Sequence, residues 1–201
     1  MRVLIPGLFT ALLVSTTLAV ASDPIVAGKQ VQKQTDKSVQ ISFKPPTRYV
    51  ESEDTAAQHG LVKYYKLPAP DGNSRSFFTV SFQDKSEEPD IRNLKEYVNV
   101  DLNNFKQSFP DSVIAKVKVQ GIIAEKFSKL GFPVLMFMFQ GNKDSARASG
   151  DSLTLFFETP SGYWSIVWTV PQRSVKTGFP VFEGFIQDMT VQKLYEPKSG
   201  K

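Results

Sequence analysis

Leu153-Thr154-Leu155-Phe156-Phe157-Glu158, then Pro160-Ser161-Gly162, then Tyr163-Trp164-Ser165-Ile166-Val167-Trp168-Thr169-Val170 is the stretch that decides the fold. It reads as strand, tight turn, strand, with both tryptophans on the second strand. Trp164, Ile166, Trp168 and Val170 share one face of that strand, and Tyr163, Ser165, Val167 and Thr169 take the other. Pro171 ends it, because proline has no N–H for the ladder. A final helix is expected from about Pro180, with Phe182, Phe185, Ile186 and Met189 as its buried stripe.

Upstream, Val134-Leu135-Met136-Phe137-Met138-Phe139 is apolar at every position. Such a strand needs cover on both faces, which predicts a central strand with helices above and below. Ser38 to Phe43 and Val113 to Val119 alternate with period two and read as further strands, and Leu61 to Leu67 and Ser76 to Phe82 read as a hairpin of strands around the turn-rich Pro68 to Asn73 loop. Lys116 and Lys118 face outward and guard an edge. Ile122 to Leu130 is expected as the hairpin partner of 113–119, turning at Gln120-Gly121. The best helix runs from Ile91 to Phe109, with Ile91, Leu94, Val98, Leu102, Phe105 and Phe109 on one stripe and Asp90 as N-cap. The expected class is α+β: a mostly antiparallel sheet flanked by helices on both faces, an α/β/α sandwich.

Near the start, Arg2 precedes an apolar run from Leu8 to Val20, which ends in Ala19-Val20-Ala21 before polar Ser22. Residues 1–21 therefore read as a secretory signal peptide. Residues 22–38 read as a flexible polar leader, 39–195 as one domain and 196–201 as a mobile tail. The expected location is periplasmic or extracellular, and bacterial, with no transmembrane segment after cleavage. The sequence has no cysteine, so neither a disulfide nor a lipid on a cleavage-site cysteine is available. It has no Asn-x-Ser/Thr sequon either. The net charge of +4 less the one charge of Arg2 leaves +3, with lysines scattered along the chain. That is not the balance of a nucleic-acid binder.

At this point the order of elements resembles the PsbP-like group. The resemblance rests on Ile41-Ser42-Phe43-Lys44-Pro45-Pro46, on Gly131-Phe132-Pro133-Val134-Leu135, on the run from Ser161 to Pro171, and on the closing Phe182 to Met189 segment. It implies an α/β/α sandwich around an antiparallel sheet, and a non-catalytic assembly, binding or interaction module. No binding residue of the group maps onto this chain.

Catalytic chemistry finds little material. His59 is the only histidine, and there is no Gly-x-Ser-x-Gly elbow. One histidine without cysteine makes a poor zinc site, and no metal or cofactor is expected. Glu51, Glu53 and Asp54, and Glu87, Glu88 and Asp90, are the carboxylates from which a secreted carboxylate-dependent hydrolase would be built. That is the alternative function.

A different constellation is more suggestive. Strands 132–140, 152–159 and 163–170, joined as hairpins, run up, down and up. The 141–151 and 171–177 loops then emerge at one end of the sheet, gathering Lys143, Arg147, Arg173 and Lys176, with Asp144 and Asp151 among them. Four cations there suit a phosphate, a sulfate or an acidic surface. The leading expectation is thus an exported, non-catalytic binding module whose partner is a protein or an anionic envelope or extracellular ligand.

Overall fold

A computed structural model describes residues 36–70, 72, 74–141 and 150–194. Nine strands and four α-helices follow in chain order among these residues: β1 Val39–Ser42, β2 Val50–Glu51, α1 Glu53–Gln58, β3 Lys63–Lys66, β4 Phe77–Asp84, α2 Leu94–Ser108, β5 Val113–Val117, α3 Gly121–Leu130, β6 Val134–Gln140, β7 Gly150–Glu158, β8 Gly162–Pro171, α4 Val175–Asp188 and β9 Thr190–Lys193. Seven strands form one antiparallel sheet in the order β2-β3-β4-β8-β7-β6-β5. β1 and β9 form a separate antiparallel ribbon. The expected α+β sandwich is what the chain builds.

β8 is the middle strand, and β7 and β8 are buried over almost their whole lengths. The alternation along β8 works as its sequence implies. Trp164, Ile166, Trp168 and Val170 enter the main core with Ile123 and Phe127 of α3, and with Phe182, Phe185 and Ile186 of α4. The β1–β9 ribbon packs on the same side through Val39, Ile41 and Val191. Tyr163 faces the other way, into a smaller cluster with Phe156 and with Leu94, Tyr97 and Val98 of α2. Apolar burial on both faces supplies most of the driving force for such a sandwich. Gly162 and Gly178 are there for close approach. A Cβ on Gly162 would sit 2.2 Å from the Phe82 ring, and one on Gly178 would sit 2.4 Å from the Trp168 ring.

Several expectations need correction. Residues 121–130 are helix α3, not the partner of β5. Ile123, Phe127 and Leu130 recur at steps of four and three, and Gly131 closes the helix in the left-handed region at φ 73°. β6 is not central but next to the edge strand β5, and Phe137 and Met138 are half-buried. Its two-faced apolarity is still used: Met138 packs on the main core, and Leu135 and Phe137 pack beneath α2. α2 starts at Leu94 with Asn93 as its cap, whose Oδ1 accepts the Glu96 N–H at 3.1 Å, while Glu96 accepts the Arg92 N–H. α4 starts at Val175, so Pro180 lies inside the helix.

The polar leader was expected to extend through Ser38, yet its last three residues are built into the domain. Asp36 is only 2% exposed, and Ser38 is buried as well. The proposed signal peptide, the leader up to residue 35 and the tail from 196 lie outside the described residues. No helix among the described residues is long and apolar enough to cross a membrane.

Candidate functional site

The register of the sheet locates the cationic end. One lateral row runs Val50, Lys66, Phe77, Thr169, Ser152, Phe139. Beyond it, away from the sheet centre, Gly150 pairs with Pro171, and Gly141 donates its N–H to Gly150 O at 3.3 Å. Gln172 Nε2 reaches Gly141 O at 3.3 Å, which ties the base of the β6–β7 loop to the β8–α4 loop. Arg173 and Lys176 are both exposed at this end. Lys143 and Arg147 lie outside the described residues, in the loop whose two bases are joined there.

Register also brings two residues to this end that loop reading missed. Arg48 stands two residues before Val50, and Arg75 two before Phe77, each on the outer side of the row. Both are exposed. A hydrogen-bonded link holds their segments together: Tyr49 Oη to Ser76 Oγ at 2.6 Å, and Trp168 Nε1–H to Tyr49 Oη at 3.2 Å. Four ion pairs form among the described residues, Lys37–Asp84, Lys44–Asp188, Lys63–Glu51 and Lys85–Glu158. None of them uses Arg48, Arg75, Arg173 or Lys176.

Arg173 is held in place by backbone. Its N–H donates to Asp151 Oδ2 at 2.6 Å, and its φ is 66°. Asp151 is buried, so this carboxylate anchors the loop from below and leaves the guanidinium outside. The signal in the sequence that marks Arg48 and Arg173 together is a shared spacing, Pro46-Thr47-Arg48-Tyr49 and Pro171-Gln172-Arg173-Ser174.

The opposite end of the sheet is built differently. Asp36 Oδ1 accepts Ser38 N–H at 2.8 Å, Ser38 Oγ–H at 2.7 Å, Val39 N–H at 3.2 Å and the Ser161 hydroxyl. Its Oδ2 accepts Trp164 Nε1–H at 2.8 Å and the Thr159 hydroxyl. Burial pushes this carboxyl up, but the donors from Ser161, Ser38, Thr159 and Trp164 outweigh it and hold the pKa below the usual carboxylate value. Lys85 Nζ bonds Glu158 at 2.7 Å and Thr159 O at 2.9 Å, and Glu158 also accepts the Leu94 N–H that starts α2. This end is a structural anchor.

Beneath α2 lies Asp101, 6% exposed on the helix face that also carries Tyr97, Val98 and Phe105. Burial pushes its carboxyl up to about 8, so it is largely protonated at neutral pH. The nearby Tyr97 hydroxyl is buried without a hydrogen-bond partner, and burial followed by the Asp101 charge raises its pKa well above normal.

Most of the carboxylates considered for hydrolysis are otherwise engaged or exposed. Glu51 pairs with Lys63 at 2.5 Å, Glu87 accepts from Gln83 Nε2 at 2.9 Å, and Glu53 and Asp54 are exposed in the first turn of α1. His59 is half-buried at the C-terminal end of α1. No group of three or more metal-ligating side chains comes together among the described residues.

No protein-family model matches the chain, and no curated protein matches its sequence. Among solved structures, the chain is similar to the solution structure of cyanobacterial PsbP (CyanoP) from Synechocystis sp. PCC 6803, at 8% identity. The match covers 85% of this chain and 98% of that one, with a TM-score of 0.48. The likeness is in chain path, and no residue role is transferred from it.

Proposed function

We propose that this chain is an exported, non-catalytic binding module. It recognises an anionic protein surface or an anionic envelope or extracellular ligand through the cations at one end of its sheet: Lys143, Arg147, Arg173 and Lys176. The observation that carries this reading is the joining of the two loop bases by Gln172–Gly141 and Gly150–Pro171, with Arg173 and Lys176 exposed beside them and free of the four ion pairs. Charges not consumed by the fold are available to a partner, and an exposed cluster of one sign steers anions toward it.

The test is binding of the protein lacking residues 1–21 to an anionic matrix across a salt series. Affinity should fall steadily as salt rises, because exposed charges are screened beyond about 8 Å at physiological ionic strength. Arg147→Glu with Arg173→Glu should abolish binding. Lys116→Glu with Lys118→Glu, on edge strand β5 and the residues after it, should leave it nearly intact. Equal loss in both pairs would reduce the effect to general basicity and overturn the reading. Export is tested separately by intact mass: the secreted form should lack residues 1–21, and a mature form retaining Met1 would contradict it.

A further inference from the structure

Two turns at the cationic end share one construction. Tyr49 N–H bonds Pro46 O at 2.9 Å, and Ser174 N–H bonds Pro171 O at 3.1 Å. Each is a four-residue turn that begins with proline and carries arginine in its third position. Arg48 has φ 74° and Arg173 has φ 66°, and they are the only non-glycine residues in the left-handed region among those described. Type II turns reserve this third position for glycine, because a side chain there crowds the backbone. Neither guanidinium takes part in an ion pair with a described carboxylate. The fold thus holds in a strained conformation two arginines that no described carboxylate pairs with. Strain kept at two matched positions is a mark of a functional site.

Residue type is segregated as well. Of the arginines among the described residues, Arg48, Arg75 and Arg173 lie in loops at this end, and Arg92 lies elsewhere, while lysines occur throughout the chain. Arginine presents a planar fork of donors that grips two oxygens of a phosphate, sulfate or carboxylate at once, which lysine cannot do. The turns flank Arg75 across the ends of the strands from β2 to β8. Three strand spacings span about 14 Å. The exposed valines near this end, Val50 at 51% and Val113 at 57%, stand on opposite edges of the sheet. Among the described residues this end has no contiguous apolar centre such as a protein interface or an inserted membrane anchor uses. Asp111, exposed before β5, lies at the far corner.

We propose that the paired Pro-x-Arg turns, with Arg75 between them, form an arginine cradle for an acidic polysaccharide, a hydrated linear polymer with closely spaced sulfate, phosphate or carboxylate groups. This rests on the anionic-partner reading above and extends it to Arg48 and Arg75 and to a ligand class.

The experiment measures binding of a heparin-derived dodecasaccharide to the protein lacking residues 1–21. Parallel arms use a poly-glutamate peptide and phosphatidylglycerol vesicles. Arg48→Gly and Arg173→Gly should each weaken dodecasaccharide binding by on the order of tenfold. Both should hold the Tm or raise it by about 2–4 °C, since glycine adopts the turn without strain. Arg48→Lys keeps the charge but should still weaken binding several-fold. Wild-type binding by both Gly variants, or equal affinity for poly-glutamate or vesicles, overturns the cradle. If Arg147→Glu with Arg173→Glu loses binding while Arg48→Gly does not, the cradle falls and the broader anionic reading stands. If neither changes binding, both fall.

Discussion

The two ends of the sheet treat charge in opposite ways. At the β7–β8 turn, Asp36 is enclosed by hydroxyl, indole and backbone donors, and Lys85 is fixed to Glu158. At the other end, Arg48, Arg75, Arg173 and Lys176 stand exposed outside any ion pair of the described residues. The first arrangement stabilises the fold, since buried polar groups help only when their partners are complete. The second adds almost nothing to stability, since exposed charges are screened by water and salt. The difference separates what holds the domain together from what it presents to its surroundings.

The largest expected effect comes from emptying the first end. Asp36→Ala strips the acceptor from Trp164 Nε1–H and from three hydroxyls, and should cost on the order of 3–5 kcal/mol in a urea melt. The same contribution has a pH signature. The folded pKa of Asp36 is depressed. Its stabilisation is therefore complete above the unfolded value of about 3.9 and is lost as pH falls through the lower folded value. A variant that melts like wild type would show that the N-terminal segment is not anchored through this carboxylate.

Asp101 sharpens the contrast, because it is buried like Asp36 but burial is the one influence on its pKa. Its folded pKa is raised to about 8, so the sign reverses. Between about pH 4 and that value the unfolded chain releases the proton and the folded one keeps it, so stability declines with rising pH by up to about 1.4 kcal/mol per unit. Asp101→Asn, neutral throughout, should remove that slope and be more stable than wild type at pH 8 by a few kcal/mol. Parallel pH profiles of the two proteins would refute the assignment.

A smaller loss is expected from Glu158→Gln, which weakens the Lys85 pair and the acceptor for the Leu94 N–H. Both side chains are partly exposed, so about 1 kcal/mol is the scale, read as a shift in the urea midpoint. Smallest of all, Arg173→Glu should move stability by less than about 0.5 kcal/mol. A large loss there would mean that the second end is structural after all, and the contrast between the ends would collapse.

Much of this was legible from local pattern. The alternation along residues 163–170, the all-apolar run at 134–139 and the 91–109 periodicity depend on which side chains must leave water, and that information is local. The hairpin order of β6, β7 and β8 follows from short connections. Three things were beyond it. Residues 121–130 carry both a helical spacing and β-branched residues, and the packing of Ile123 and Phe127 on the core chose the helix. The place of β6 near the edge is a matter of pairing order, which hydrophobic period does not encode. The anchoring of Asp36 by Thr159, Ser161 and Trp164, and the placing of Arg48 and Arg75 at the same sheet end as Arg173, relate residues more than ninety positions apart. The sequence by itself determined the faces and the class. Only the tertiary structure decided which polar residues are engaged by the fold and which stay exposed outside the ion pairs of the described residues, because hydrogen bonding and charge pairing depend on distances that chain order does not set.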